Sequence, residues 1–192
     1  MNPISDGTKS DVAVAGVGPP ANAPTMPRSA TDATDADEGT ESNETQALVL
    51  VLNGLIEVAS DGARMFTLAT SDALDPDYKA LFAQHSHERT QFMRELQIAV
   101  RSLGGNPQDR GTLEGALLRA WMDVKAAVAV REDYAVLREV ERAEQNARKR
   151  YARALTLDLG GDVKALVERQ YSAVSRSHDR MRALRQKHAL RS

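Results

Sequence analysis

The chain has 192 residues, 42% hydrophobic but only 4% aromatic, so a core must be packed chiefly by alanine, leucine and valine. It contains no cysteine, which excludes disulfides, cysteine-ligated zinc and thiol catalysis and fits a reducing compartment. The net charge of −2 hides an asymmetry: residues 1–44 hold eight acids against Lys9 and Arg28, whereas residues 162–192 hold eight Lys and Arg against three acids.

Five of the seven prolines and four of the twelve glycines precede residue 40. That segment has too little apolar surface to offset the entropy of ordering it, so residues 1–43 are expected to form a disordered acidic tail. Met1 to Pro27 offers neither a basic n-region nor an apolar h-region, and no unbroken run approaches the roughly 18 apolar residues of a membrane span. The expected location is the cytoplasm, with no membrane partner.

From residue 44 to 192 the apolar residues recur at helical spacing. The first helix is expected over 44–72, capped by Asn43, with Leu48, Leu52, Leu55, Ile56, Ala59, Ala63 and Phe66 on one stripe. Asp75-Pro76 supplies an N-cap and a first-turn proline for a second helix, which Gly104-Gly105-Asn106-Pro107 stops. A shorter helix over 112–129 carries Trp121 as a packing anchor. A further helix runs over 133–157, Gly160-Gly161 interrupts, and the last runs over 162–189. No segment alternates with period two for long enough to predict a strand.

Four helices of 25–29 residues would each be about 38–44 Å long, the proportions of a bundle. Tight links join the first to the second and the third to the fourth, while some 29 residues separate the two hairpins. One long crossover between hairpins predicts an all-α, ferritin-like four-helix bundle, with the short extra helix inside the crossover between helices two and three.

Helical phase places several polar residues towards the interior. His85 lies near the centre of the second helix's stripe and Glu88 about 60° from it. Glu144 lies in the middle of the third stripe and Glu141 at its edge, while Gln170 and His178 fall inside the last. Glu57 sits near the polar edge of the first helix. Carboxylates rarely enter a helical core unless paired or bound to metal, and Glu with His is the ligand mixture of a carboxylate-bridged di-metal site. Two readings stay open: a metal centre, or a hydrogen-bonded and partly ion-paired network with Arg89 or Arg142.

Other chemistry lacks its motifs. There is no phosphate-cradling glycine loop and no G-x-S-x-G nucleophile pattern. The basic stretches, Arg148-Lys149-Arg150 and the last helix, have no interleaved aromatics, so no nucleic-acid partner is expected. A basic last helix meeting an acidic tail or another anionic partner, and a homo-oligomer formed through helix faces, stay open.

Leu52-Asn53-Gly54-Leu55-Ile56-Glu57 with Asp61-Gly62, Glu88-Arg89-x-x-Phe92-x-x-Glu95-Leu96 and Trp121-Met122-Asp123-Val124-Lys125 occur in order. Glu141-Arg142-Ala143-Glu144, Glu168-Arg169-Gln170-Tyr171 and His178-Asp179 follow. Together, over about 48–188, they resemble a bacterial family of ferritin-like, rubrerythrin-related bundles catalogued as a domain of unknown function. The resemblance implies a ferritin-like fold and an iron- or stress-linked role, with Glu57, Glu88, Glu141, Glu144 and His178 as metal-site positions and iron as the cofactor. Gln91 and Ser175 stand where a full Glu-x-x-His pattern would have ligands. Oxidase, peroxidase and iron-storage chemistry therefore lack their usual ligand set. The function expected is a ferritin-like bundle of unassigned activity with a depleted metal site. The alternative is a metal-free helical interaction or scaffolding module, and an enzyme, if there is one, would be a di-iron oxidoreductase.

Overall fold

The structure, a computed structural model, describes residues 34–109, 121–122 and 133–190, with side chains from residue 41 onward. Among these residues there are four long helices and no strand: α1 (Thr34–Asp72), α2 (Pro76–Ser102), α3 (Asp133–Ala154) and α4 (Gly161–Ala189). α1 and α2 form one hairpin and α3 and α4 another, with α1 packed on both α2 and α3. Residues 1–33 of the tail expected over 1–43, and the crossover helix expected over 112–129 apart from helical Trp121 and Met122, lie outside the described residues.

α1 begins at Thr34, before the expected cap at Asn43. Low complexity argued for a later start, but a formed helix extends without a new nucleation step. The other boundaries follow local chemistry. The Asp75 side chain accepts from the Asp77 N–H, Pro76 occupies the first turn of α2, and Gly104 takes a φ of 73° after its end. Asp133, at the start of α3, accepts from the N–H groups of Leu74 (2.7 Å) and Asp75 (3.0 Å), so one buried carboxylate ties the α1–α2 turn to the second hairpin.

The chain leaving α2 turns back onto α1. Asn53 donates to the Asn106 carbonyl at 3.1 Å and accepts from the Gln108 N–H at 2.9 Å. Gly105 permits this approach, since a Cβ there would stand 2.6 Å from Val49 Cγ2.

The core is divided. One apolar block contains Leu52, Ile56, Ala59, Phe92, Leu96, Ala147, Tyr151, Val167 and Val174. The other contains Met65, Phe66, Phe82, Trp121, Leu137, Val140 and Met181. On every helix at least one buried polar residue falls between the blocks in sequence: Ser60 on α1, Arg89 on α2, Glu144 on α3, and Ser177 and His178 on α4, while Asp133, Glu139 and Gln170 are buried outside this level. A polar layer thus crosses the bundle near its middle.

One sequence expectation needs correction. Between Glu41 and Asp72, α1 is long and apolar enough to cross a membrane by length and composition, with a mean hydropathy of 1.2 over an 18-residue window. Counting unbroken apolar runs missed this because Asn53 and Glu57 interrupt them. In the bundle, Leu52, Leu55, Ile56, Ala59, Phe66 and Ala69 from this helix are packed into the two blocks.

Trp121 is 4% exposed, and its indole N–H donates to Asp72 Oδ2 at 2.7 Å. Trp121→Ala should cost about 3–5 kcal/mol, as large aromatic truncations do. Trp121→Phe, which keeps most of the packing and loses the hydrogen bond, should cost about 1 kcal/mol. Urea denaturation of the two variants checks the difference.

Candidate functional site

The middle layer is built around Arg89. Its position, three residues before Phe92 and seven before Leu96, puts it on the buried face of α2, where the side chain is 2% exposed. An isolated charge at such a place is prohibitive, and the surrounding helices supply its partners. Nη2 donates to Glu144 Oε2 at 2.6 Å and Nε to Glu144 Oε1 at 3.4 Å, a two-point pairing with α3. Nη1 donates to Glu88 Oε2 at 2.8 Å. The guanidinium carbon lies 5.1 Å from the Phe92 ring centre and 5.8 Å from that of Phe66, within cation–π range. Gly62 of α1 leaves room for the stem, since a Cβ there would contact Arg89 Cγ and Cδ at 3.4 Å.

His85 continues the layer, with Nδ1 3.3 Å from Glu88 Oε2 and its ring 5.1 Å from Phe66. The His85 hydrogen bond, with the nearby Arg89 charge, holds the Glu88 carboxyl below its usual range although burial opposes this. Burial alone would lower the Arg89 value, but the Glu144 carboxylate, then Glu88, more than offset it, and the guanidinium is held charged. A second set lies on the other side of Phe92. Tyr151 donates to Gln170 Oε1 at 2.8 Å, and Gln170 Nε2 reaches Glu95 Oε2 at 2.8 Å and the Phe92 carbonyl at 3.3 Å. Burial pushes the Tyr151 hydroxyl well above its ordinary value, so it remains a donor.

The five expected metal positions separate in the structure. Glu88 and Glu144 meet, but on one guanidinium. His178 is buried in the same layer, yet its Nδ1 lies 3.1 Å from Asp179 Oδ1 and 3.4 Å from Arg148 Nη1. One nitrogen cannot donate to the first and accept from the second together, so the two contacts alternate with tautomer. Glu141 accepts from Arg185 of α4, at the outer edge of the α3–α4 pair. Glu57 is half-buried on α1, beside Asp61. Among the described residues no three Asp, Glu or His side chains form a group able to hold a metal ion.

The layer does leave buried polar atoms without partners: His85 Nε2, Ser177 Oγ, Ser175 Oγ and Asp61 Oδ1. Asp61 is shifted upward, by burial first and then by Glu57. These orphans supply one imidazole nitrogen but no second free carboxylate at the centre, because both Glu144 oxygens face Arg89. The residues present do not fit a di-metal centre as they stand.

Arg89 was legible as one of two partners for the inward acids, but not as the centre. The available signal was its three- and seven-residue spacing from Phe92 and Leu96, easily passed over because arginine counts as a surface residue.

Removing one partner of a buried pair leaves the other charge unmatched, which costs far more than the pair contributes. Glu144→Gln should therefore destabilise the protein by roughly 3 kcal/mol or more. The paired change Arg89→Met with Glu144→Leu should recover most of that loss, since apolar replacements of similar volume are often neutral. Urea midpoints of the three proteins decide. Glu88 also makes a pH prediction. Its folded value lies below the ordinary 4.5, so its share of stability is complete above 4.5 and is lost as pH falls through the folded value. Glu88→Gln should flatten the fall in stability below about pH 4.5, read from urea midpoints across pH.

Comparison with known proteins agrees with the fold and is silent on chemistry. A crystal structure of a two-domain protein from Anabaena variabilis, containing DJ-1/ThiJ/PfpI-like and ferritin-like domains, superposes with a TM-score of 0.60 at 17% identity. The match covers 74% of this chain and 40% of that one, a likeness of fold alone. No protein of curated function matches. Residues 47–157 match the family described as Domain of unknown function (DUF2383). With most of its length so matched, and the four-helix architecture in place, this chain belongs to the DUF2383 family.

Proposed function

We propose that this protein is a ferritin-like bundle that works through its surface as a helical interaction module, with its centre held by a charge pair. The observation carrying this reading is the two-point contact between Arg89 and Glu144, with Glu88 on the remaining nitrogen. A guanidinium stands where a carboxylate-bridged centre would need a cation. It already supplies the positive charge that makes inward carboxylates tolerable.

The second reading keeps the metal. It is favoured by the ferritin-like fold, by two carboxylates brought to one point, and by the unpartnered His85 Nε2. The rubrerythrin kinship, the iron- or stress-linked role, and Glu57, Glu141 and His178 as ligands belong to this reading. Metal binding there would require Arg89 to leave Glu144 and find another buried partner.

Ferrous iron decides between the two. A ligand that binds only the folded state raises stability with its free concentration, by about 2.7 kcal/mol at one hundred times the dissociation constant. Anaerobic titration of untagged protein should leave its melting temperature unchanged, and metal analysis should find no stoichiometric iron. A melting temperature that climbs with iron, and no longer does so in Glu144→Gln, would establish the metal centre and remove the proposal.

A further inference from the structure

The contact between α3 and α4 forms a groove of about 440 Å³ in which all five cationic side chains are arginines. Arg138, Arg142 and Arg148 come from α3. Arg182 and Arg185 come from α4, three apart. Gln145 and the buried His178 also line it.

The arrangement is not neutralised internally. Arg138 and Arg142 share one carboxylate, Glu139, at 3.2 and 2.8 Å. Arg148 lies 3.8 Å from Asp179, and Arg185 is paired with Glu141. Arg182 is exposed and has no ion pair among the described residues. Five guanidinium groups thus face three carboxylates, a surplus of two positive charges. Like charges one turn apart on a helix oppose folding slightly, a strain that an added anion would relieve.

Each guanidinium carries five N–H groups in a planar fork, and the internal partners occupy only a minority of those available. Forks of this kind match the paired oxygens of phosphate and carboxylate. The groove has the volume of a small-molecule site, larger than one free phosphate fills. We propose that it binds a small phosphorylated anion carrying at least two phosphoryl groups or their charge equivalent, gripped between Arg142 on α3 and Arg182 on α4. Apart from His178 the groove is separate from the central layer, so its test stands whatever iron does.

Inorganic pyrophosphate is the probe. Calorimetric titration at constant ionic strength should give saturable binding near one equivalent. The melting temperature should rise with pyrophosphate and not with sodium chloride of matched ionic strength. Arg142→Gln and Arg182→Gln, both at exposed positions, should each weaken binding by roughly tenfold or more, the loss of one charge-assisted contact. Lys187→Gln, a charge change on the same helix outside the groove, should leave binding unaltered. Equal stabilisation by sodium chloride, or affinity unchanged in both arginine variants, overturns the proposal. Vesicles of phosphatidylserine and phosphatidylcholine separate a lipid headgroup from a free ligand: cosedimentation without a pyrophosphate response overturns it as well.

Discussion

A buried guanidinium must be satisfied on several sides at once, and much of this bundle is arranged to satisfy Arg89. Glu144 answers from α3, Glu88 from the preceding position on α2, and the Phe66 and Phe92 rings from the flanks. Gly62 on α1 clears its stem. Residues from three helices must therefore sit at one level, and a shift of α3 by a turn along α2 would strand a carboxylate and a guanidinium in apolar surroundings. Apolar side chains tolerate such slips more readily, because their attraction is not directional. The pair thus works less as a source of stability than as a fixed register for the blocks above and below it.

The motifs singled out in the sequence acquire a common meaning in this light. Asn53 ties the end of α2 back to α1, Gly62 makes space, and Arg89 and Glu144 form the centre. Glu95 and Gln170 join the Tyr151 set. Each is explained by helix-to-helix fitting. The family match ends at residue 157, yet α4 lies beyond it and supplies Gln170, His178 and one wall of the arginine groove. The match covers the parts that set the register, while one side of the groove comes from outside it.

Charge is separated along the bundle as well as along the chain. Glu41 and Glu44, in the first third of α1, lie beside the α3–α4 turn, in a cleft with Asp158 and Asp162. The arginine groove is centred near Arg182 on α4, which at 1.5 Å per residue is about 30 Å from Gly161. Among the described residues, the acids of this cleft lie too far along the bundle to pair with the arginines of the groove. The field at the groove is consequently available to an anion from solution.

The sequence by itself determined that the chain is helical, where α2, α3 and α4 lie, and that Glu144, Gln170 and His178 turn inward. These follow from local chemistry: the period of 3.6, Asp75-Pro76 at one boundary and the glycines at the others. The start of α1 was less legible, because composition records how little a segment can bury and not whether a neighbouring helix will extend through it. What only the tertiary structure decided is which inward groups meet. Helical phase gives each residue an angle about its own axis, but nothing about the level at which a neighbouring helix presents a partner. Arg89 has a reach of several bonds, and its guanidinium occupies the point where Glu88 and Glu144 come together. His178, equally inward by phase, came level with Arg148 and Asp179, and Glu141 with Arg185. A one-dimensional pattern holds the angles; the relative shift of packed helices, set by the fit of two apolar blocks about a polar layer, fixes the contacts.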